Sequence, residues 1–384
     1  SALASDDGFR ILGIASSANA KYTVGSAGDI NGDGIEDLIV GQRYAASNNS
    51  GVSYVIYGRS SGFGNAGISL GALATSDGFS ILGSSSNDSA GVSVAAAGDV
   101  NGDHIDDLIV GAIRGDGNDS VNSGAAYVIY GKTSGPGTTG IQLSALASSD
   151  GFRIAGVASS DTAGNAVAAA GDINGDGIDD LIVGASGGAP SAAGAAYVIY
   201  GRSGGFGTAG IDLSSLAGSA GFRIAGATDF DSVGMSVSAA GDINHDGIDD
   251  VIVGGAGVAD SNGTTRGAAY VIYGKSGGYG TAGIDLASLA SSDGLRIAGA
   301  SASDHAGNAV SAGGDINGDG IDDLIIGSYY ADADTKDSGA VYVVFGKSGG
   351  YAGVSLSALA SSDGFRIAGA SGGDKTGWSV SSAG

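Results

Sequence analysis

The sequence predicts an all-β chain of repeated four-stranded sheets, and three recurring segments carry that prediction. GDINGDGIEDLIVG begins at Gly28 and close copies begin at Gly98, Gly171, Gly241 and Gly314, at steps of 70, 73, 70 and 73 residues. Between them lies YVIYGRS at 54–60, with counterparts at 127–133, 197–203, 270–276 and 342–348. The third segment, GFRILG near the amino terminus, returns at 78–83, 151–156, 221–226, 294–299 and 364–369.

Each unit thus holds four short apolar runs separated by Gly, Asp and Ser. In the third unit the first run is AVAAAG (166–171), followed by DDLIVGA, GAAYVIYG and GFRIAGA. Short runs rich in Val, Ile and Tyr between glycine turns are strands. The first run is built of small residues, which suits a crowded central axis. The second and third are apolar on both faces, so neighbouring sheets must cover both sides. Between the third and fourth runs, a stretch such as SLSALASSDG predicts a short helical turn. Four-stranded sheets stacked face to face at this interval make a β-propeller or an open array of blades, whereas a β-solenoid would use a shorter rung. The units run 22–83, 92–156, 165–226, 235–299 and 308–369 within one repeat domain spanning 1–384. Residues 1–21 and 370–384 carry a lone fourth strand and a lone first strand, completing or joining a further blade.

Composition narrows the function classes. Gly numbers 76 of 384 residues, far above the usual share of about 7%, but with no period of three and with 42% hydrophobic content. The formal charge of -24 excludes a basic face for nucleic acid or an anionic membrane surface. No apolar stretch is long enough to insert in a membrane. With no Cys there is no disulfide, thiolate metal site or cysteine nucleophile. Of 40 acidic residues only Glu36 is Glu; Asp favours turns and metal loops over helices.

The chemistry lies in the loops, where Asp-x-Asn-x-Asp-Gly-x-x-Asp recurs. Hard cations such as Ca2+ take six to eight oxygens, and alternate positions of a tight loop converge on one point. Positions 1, 3 and 5 supply side-chain oxygens, position 7 a carbonyl and position 9 a returning carboxylate. These are Asp29, Asn31, Asp33, Ile35 and Asp37 in the first loop, and Asp99, Asn101, Asp103, Ile105 and Asp107 in the second. The third has Asp172, Asn174, Asp176, Ile178 and Asp180; the fourth Asp242, Asn244, Asp246, Ile248 and Asp250; the fifth Asp315, Asn317, Asp319, Ile321 and Asp323. About five Ca2+ ions are expected. Mg2+ suits a pliant loop of several carboxylates less well. An EF-hand would need an acid at position 12, where Val40, Val110, Val183, Val253 and Ile326 stand instead. Position 6 is Gly except at His104, which predicts a weaker second site; His245 replaces Gly at position 4 and is expected to be exposed.

The loops, the DLIVGA strand after each and the Gly-rich flanks resemble the FG-GAP repeats of integrin α-subunits over essentially the whole chain. The resemblance implies a β-propeller with calcium in its blade hairpins, and its ligands map onto the loop residues named above. That family usually closes seven blades, whereas this chain codes five complete calcium-bearing units and two terminal strands.

The basic residues recur with the repeat. Arg10, Arg153, Arg223, Arg296 and Arg366 follow GF or GL, and Arg59, Lys132, Arg202, Lys275 and Lys347 follow YG or FG, which predicts pairing with Asp between blades. Arg114-Gly115-Asp116 spells an integrin-binding tripeptide, a chance match in a Gly/Asp-rich chain. Asn48, Asn87, Asn118 and Asn262 head glycosylation sequons. GGFGTAGID (204–212) fails as a calcium β-roll because Ala209 stands where Asp is needed. The loops 42–50, 112–123, 185–193, 255–266 and 328–338 vary most, and Tyr44, Arg114, Tyr329, Tyr330 and Lys336 are the candidates for partner contact.

The function these features predict is a non-enzymatic, calcium-stabilised scaffold at the cell surface or outside the cell, for adhesion or binding of a protein or glycan ligand. A self-assembling subunit of a fibre, sheath or surface layer, with copies of itself as partner, is the alternative. An enzyme lacks support: His104, His245 and His305 are the only histidines and join no nucleophile–base grouping. No leader is visible and Ser1 falls mid-repeat, which reads as a processed or trimmed amino terminus.

Overall fold

The computed structural model describes residues 8–14, 21–46, 48–63, 67–115, 122–135, 140–187, 193–207, 210–332 and 336–382. The small-residue run Ala166–Gly171 of the third unit forms a strand beside Asp180–Ala185, which pairs with Ala195–Ile199 and then Gly221–Ala225, all antiparallel. The same order recurs in the other units. Tyr22–Gly28, Asp37–Gln42, Val52–Ile56 and Gly78–Leu82 make the first sheet, and Ala90–Gly98, Asp107–Ala112, Ala125–Ile129 and Gly151–Ala155 the second. Val233–Gly241, Asp250–Gly255, Ala268–Ile272 and Gly294–Ala298 make the fourth, and Ala309–Gly314, Asp323–Ser328, Ala340–Val344 and Gly364–Ala368 the fifth. The fold is all-β and propeller-type, and no sheet closes on itself.

Strand alternation explains the stacking. Successive side chains of a strand point to opposite faces. In the second sheet Leu108, Val110, Tyr127 and Ile129 pack with Ile39, Val55, Phe79 and Ile81 of the first. Their neighbours Ile109, Ala126, Val128, Phe152 and Ile154 pack instead with Leu181, Val183, Tyr197 and Ile199 of the third. The middle strands are therefore buried on both faces, as their unbroken apolar runs require. The first strands of consecutive units lie against one another, and small residues allow the approach: a Cβ on Gly25 would sit 2.9 Å from the Val94 carbonyl oxygen.

A fifth strand in each of the first four sheets is absent from the sequence reading. Two residues after the third strand of one unit pair, in parallel, with the fourth strand of the unit before it. Ile141–Gln142 joins Gly78–Leu82, Ile211–Asp212 joins Gly151–Ala155, Ile284–Asp285 joins Gly221–Ala225, and Val354–Ser355 joins Gly294–Ala298. Ile68–Ser69 likewise takes Ile11–Leu12, the predicted lone fourth strand. A 3-10 turn follows each short strand, where the helical turn was predicted, and seats its leading leucine (Leu70, Leu143, Leu213, Leu286 or Leu356) in the core.

Two expectations are corrected. The predicted terminal first strand does not form over the described residues 376–382; Thr376 makes an isolated bridge to Gly339, and Asn308 donates to the Gly377 and Trp378 carbonyls. Six of the ten repeat-position basic residues pair within their own sheet rather than between blades. Arg59, Lys132 and Lys275 meet Asp77, Asp150 and Asp293, which precede the fourth strand of the same unit. Arg223, Arg296 and Arg366 stand across from Tyr197, Tyr270 and Tyr342 in register and donate to their phenols. Side chains directly opposite on adjacent strands are the nearest partners available.

Candidate metal centre

Each loop starts from a distortion of the first strand. The ladder shifts register just before Gly28, Gly98, Gly171, Gly241 and Gly314, and all five glycines have φ between +64° and +71°. The bulge turns the chain out of the sheet and into the Asp/Asn loop, and the second strand begins at position 9.

In the third loop Asp172 organises the turn. Its Oδ1 accepts from the Asp176 N–H at 2.9 Å and its Oδ2 from the Gly177 N–H at 2.8 Å, while Asp176 Oδ1 accepts from the Ile178 N–H at 3.0 Å. The same bonds recur around Asp29, Asp99, Asp242 and Asp315. His104 adopts φ +68°, as position 6 demands, and lies exposed; His245 is exposed as expected, with φ +59°.

Position 9 lies at the bottom of the loop. Asp180 is fully buried: Oδ1 accepts from the Gly201 N–H at 2.7 Å and Oδ2 from the Ile173 N–H at 3.1 Å. Asn174 Nδ2 donates to the same carboxylate, as Asn101 does to Asp107. Burial pushes Asp107, Asp180 and Asp250 up to about 8 and Asp37 to about 6; backbone N–H groups oppose the rise, and the acids at positions 5 and 1 add to it. Each buried carboxylate therefore feels its loop partners as like charges at close range.

The donor set is all oxygen, which is what a hard divalent cation takes. Among the described residues no three acidic or imidazole side chains stand at joint ligating distance. One atom nonetheless calls for a partner: Oδ1 of Asn244, at position 3 of the fourth loop, is buried with no hydrogen bond. Buried polar atoms are rarely left so, and a cation at the loop centre would satisfy it. The residues present fit the ion.

The fifth loop differs. Residues 315–320 are all exposed, and Asn317 is bound to Asp319 twice, through Nδ2 at 2.9 Å and Oδ1 at 2.8 Å. The Gly320 N–H, first among several, holds the Asp315 carboxyl below its ordinary range.

The strand order puts these loops at one end of the sheets and the loops between second and third strands at the other. At that far end Tyr329, Tyr330, His305 and Trp378 group together, with Tyr329 and Tyr330 ring centroids 4.2 Å apart and Lys375 Nζ 4.2 Å from the Tyr330 ring. Trp378 is 63% exposed. Tyr44 lies under the Arg43 guanidinium and Lys336 is exposed. Sequence reading named Tyr329 and Tyr330 but missed His305, Lys375 and Trp378, which come from neighbouring turns. Asp116 of the Arg114 tripeptide and Asn118 lie outside the described residues.

Comparison with known proteins adds family evidence. The FG-GAP repeat model matches residues 22–56, 90–129, 163–199 and 306–344. Integrin alpha-V of Gallus gallus is 31% identical over 242 residues, 62% of this chain and 20% of that protein. Phosphatidylinositol-glycan-specific phospholipase D of Rattus norvegicus is 33% identical over 180 residues, 46% of this chain and 20% of that protein. Integrin alpha pat-2 of Caenorhabditis briggsae is 33% identical over 163 residues, 38% of this chain and 13% of that protein. The chain thus spans no more than 20% of the length of these relatives.

Proposed function

The chain is an FG-GAP repeat protein of the integrin-like kind, and on that premise we propose that it is an extracellular, calcium-stabilised scaffold that binds a protein or glycan ligand without catalysing a reaction. The observation that carries this reading is the loop architecture. Five loops present the same oxygen donors at one end of the sheets, leaving the varied loops at the other end for recognition.

About five Ca2+ ions would be held, one by each loop. The side chains of Asp172, Asn174, Asp176 and Asp180 and the carbonyl of Ile178 would hold the ion in the third unit, and their counterparts would do so elsewhere. The ion supplies positive charge that offsets the crowded carboxylates. The residues themselves tie the first strand of each unit to the second. Calcium outside cells reaches the millimolar range in which extracellular modules bind. At the far end, the exposed ring of Trp378 and the half-buried rings of Tyr329 and Tyr330 offer flat faces to a sugar or an apolar side chain.

The test is thermal unfolding of the chain in calcium, in magnesium and after chelation. A ligand bound only by the folded state raises its stability by about 2.7 kcal/mol at a hundredfold excess over Kd. The expected result is a large fall in Tm on chelation that magnesium does not restore; an unchanged Tm would remove the calcium reading.

A self-assembling structural subunit is the second reading. Its support is the exposure of apolar side chains, Val24 at 66% in the first sheet and Ile367 at 50% in the fifth, which a second copy would cover. Electron microscopy at rising concentration separates the two readings: filaments or sheets formed in calcium support the subunit, and discrete particles support the binding scaffold.

A further inference from the structure

In the second to fifth loops, successive residues 8 and 9 serve different loops. Extended backbone sends neighbouring side chains to opposite sides. Asp180 turns into its own loop, while Asp179 turns back to the unit before, where its Oδ2 accepts from the Asp99 N–H at 2.8 Å. The pattern repeats with Asp106 on the Asp29 N–H at 2.8 Å, Asp249 on the Asp172 N–H at 2.9 Å, and Asp322 on the Asp242 N–H at 3.1 Å. In every case the bonded N–H belongs to position 1, the residue whose carboxylate organises the preceding loop.

Two more contacts hold the same corner. The carbonyl of position 2 (Ile30, Val100, Ile173 or Ile243) accepts from the backbone N–H of Lys132, Arg202, Lys275 or Lys347 of the following unit, at 2.9 Å each time. The glycine before position 1 is fitted to the incoming acid: a Cβ on Gly28, Gly98, Gly171 or Gly241 would lie 2.1–2.5 Å from that carboxylate oxygen. At Gly314, with no following unit described, nothing lies within 4 Å. Position 8 of the first loop is Glu36, the one Glu of the chain; it accepts from Ser26 of its own unit at 3.3 Å.

We propose that Asp106, Asp179, Asp249 and Asp322 are positioning residues for the metal loop of the preceding unit, so that each of the first four cation sites is built by two consecutive units. This inference rests on the calcium reading of the loops. The acid fixes the peptide plane entering position 1, and with it the direction of that residue's Cα–Cβ bond and carboxylate. Without the acid the plane is free to turn and the first ligand loses its aim.

The experiment is a calcium titration of the full chain by calorimetry, with ion counting by native mass spectrometry. Asp103→Ala removes a ligand of the second site and Asp176→Ala one of the third, giving reference chains that each lack a known site. Outer partners of metal ligands are typically worth 10- to 100-fold in affinity, so Asp179→Ala is expected to weaken one ion about tenfold or more. That loss should persist in the Asp176→Ala background and vanish in the Asp103→Ala background. Asp179→Asn, which keeps one acceptor oxygen, should recover most of it. If Asp179→Ala does not fold, Gly98→Ala displaces the carboxylate without removing it and should produce the same loss at the second site. Unchanged binding in Asp179→Ala or Gly98→Ala, or a loss that vanishes with Asp176→Ala, overturns the proposal. If neither reference chain loses an ion, the calcium reading itself fails, and the proposal with it.

Discussion

Gly98 and Asp179 occupy one another's space: with φ +71° at the glycine, a Cβ there would lie 2.3 Å from the Asp179 Oδ2. Gly314 has nearly the same conformation, φ +65°, with open space around it. Alanine at either position adopts the left-handed region at a cost of about 1–2 kcal/mol. Only at position 98 does it also displace a hydrogen-bonded carboxylate, which adds about 1–3 kcal/mol. Denaturant unfolding should therefore rank Gly98→Ala well below Gly314→Ala in stability. Equal losses would show that the contact between units contributes nothing.

Leu108 and Ile109 are adjacent and both fully buried, yet they face different neighbours, the first sheet and the third. Each change to Ala should cost about 2–5 kcal/mol. A sheet covered on one side would lose stability at one position and tolerate the other. Near-equal losses in the two variants are the signature of a stacked blade.

Stability should fall with rising pH without the ion and hold steady with it. Asp37 is raised to about 6 and Asp107, Asp180 and Asp250 to about 8 from an ordinary 3.8. Because the folded values lie above the unfolded one, their contribution is full below pH 3.8 and is lost as pH rises through the folded values. Ordinary carboxylates are fully ionised by about pH 6, so a further fall between about 6 and 8 belongs to the buried acids. Calcium competes with those protons, and its affinity should rise across the same window. Thermal melts of the chelated chain should drop there, melts in calcium should hold, and Asp107→Asn should flatten the chelated curve. A flat chelated curve in the unaltered chain would contradict burial as the cause.

His104 holds a backbone conformation that Gly would adopt freely, and its Nδ1 lies 3.7 Å from the Asp99 Oδ2. His104→Gly should stabilise the second loop by about 1 kcal/mol and tighten its ion about fivefold. Site-resolved titration, using the chain that lacks Asp103 as reference, measures it. No tightening would mean that position 6 does not limit that site.

Much of this was legible because the repeat states it five times. Strand runs, the Asp/Asn turn between first and second strands and the need to cover both faces of DLIVG and YVIYG all follow from local spacing. What stayed hidden joins residues far apart in the chain. Arg223 meets Tyr197 because of strand register, and no periodicity reports which cross-strand partner a cation prefers. The short fifth strands were signalled only by a recurrent Gly-Ile/Val-x-Leu, too brief to separate from a turn. Position 8 carried an acid in all five loops, but alternation along extended backbone is needed to see that it serves the preceding loop.

The two-residue parallel strands also set how the array would respond to force. Ile211 and Asp212 grip the preceding sheet through only two pairs, to Ile154 and Ala155. Pulled from its ends, the chain would break one such latch at a time, since each unit is secured chiefly by its neighbours. Each rupture would release about 70 residues, or about 240 Å of slack at full extension. A sawtooth of that spacing makes the array a stepwise shock absorber, in which surviving units keep their sheets while one yields.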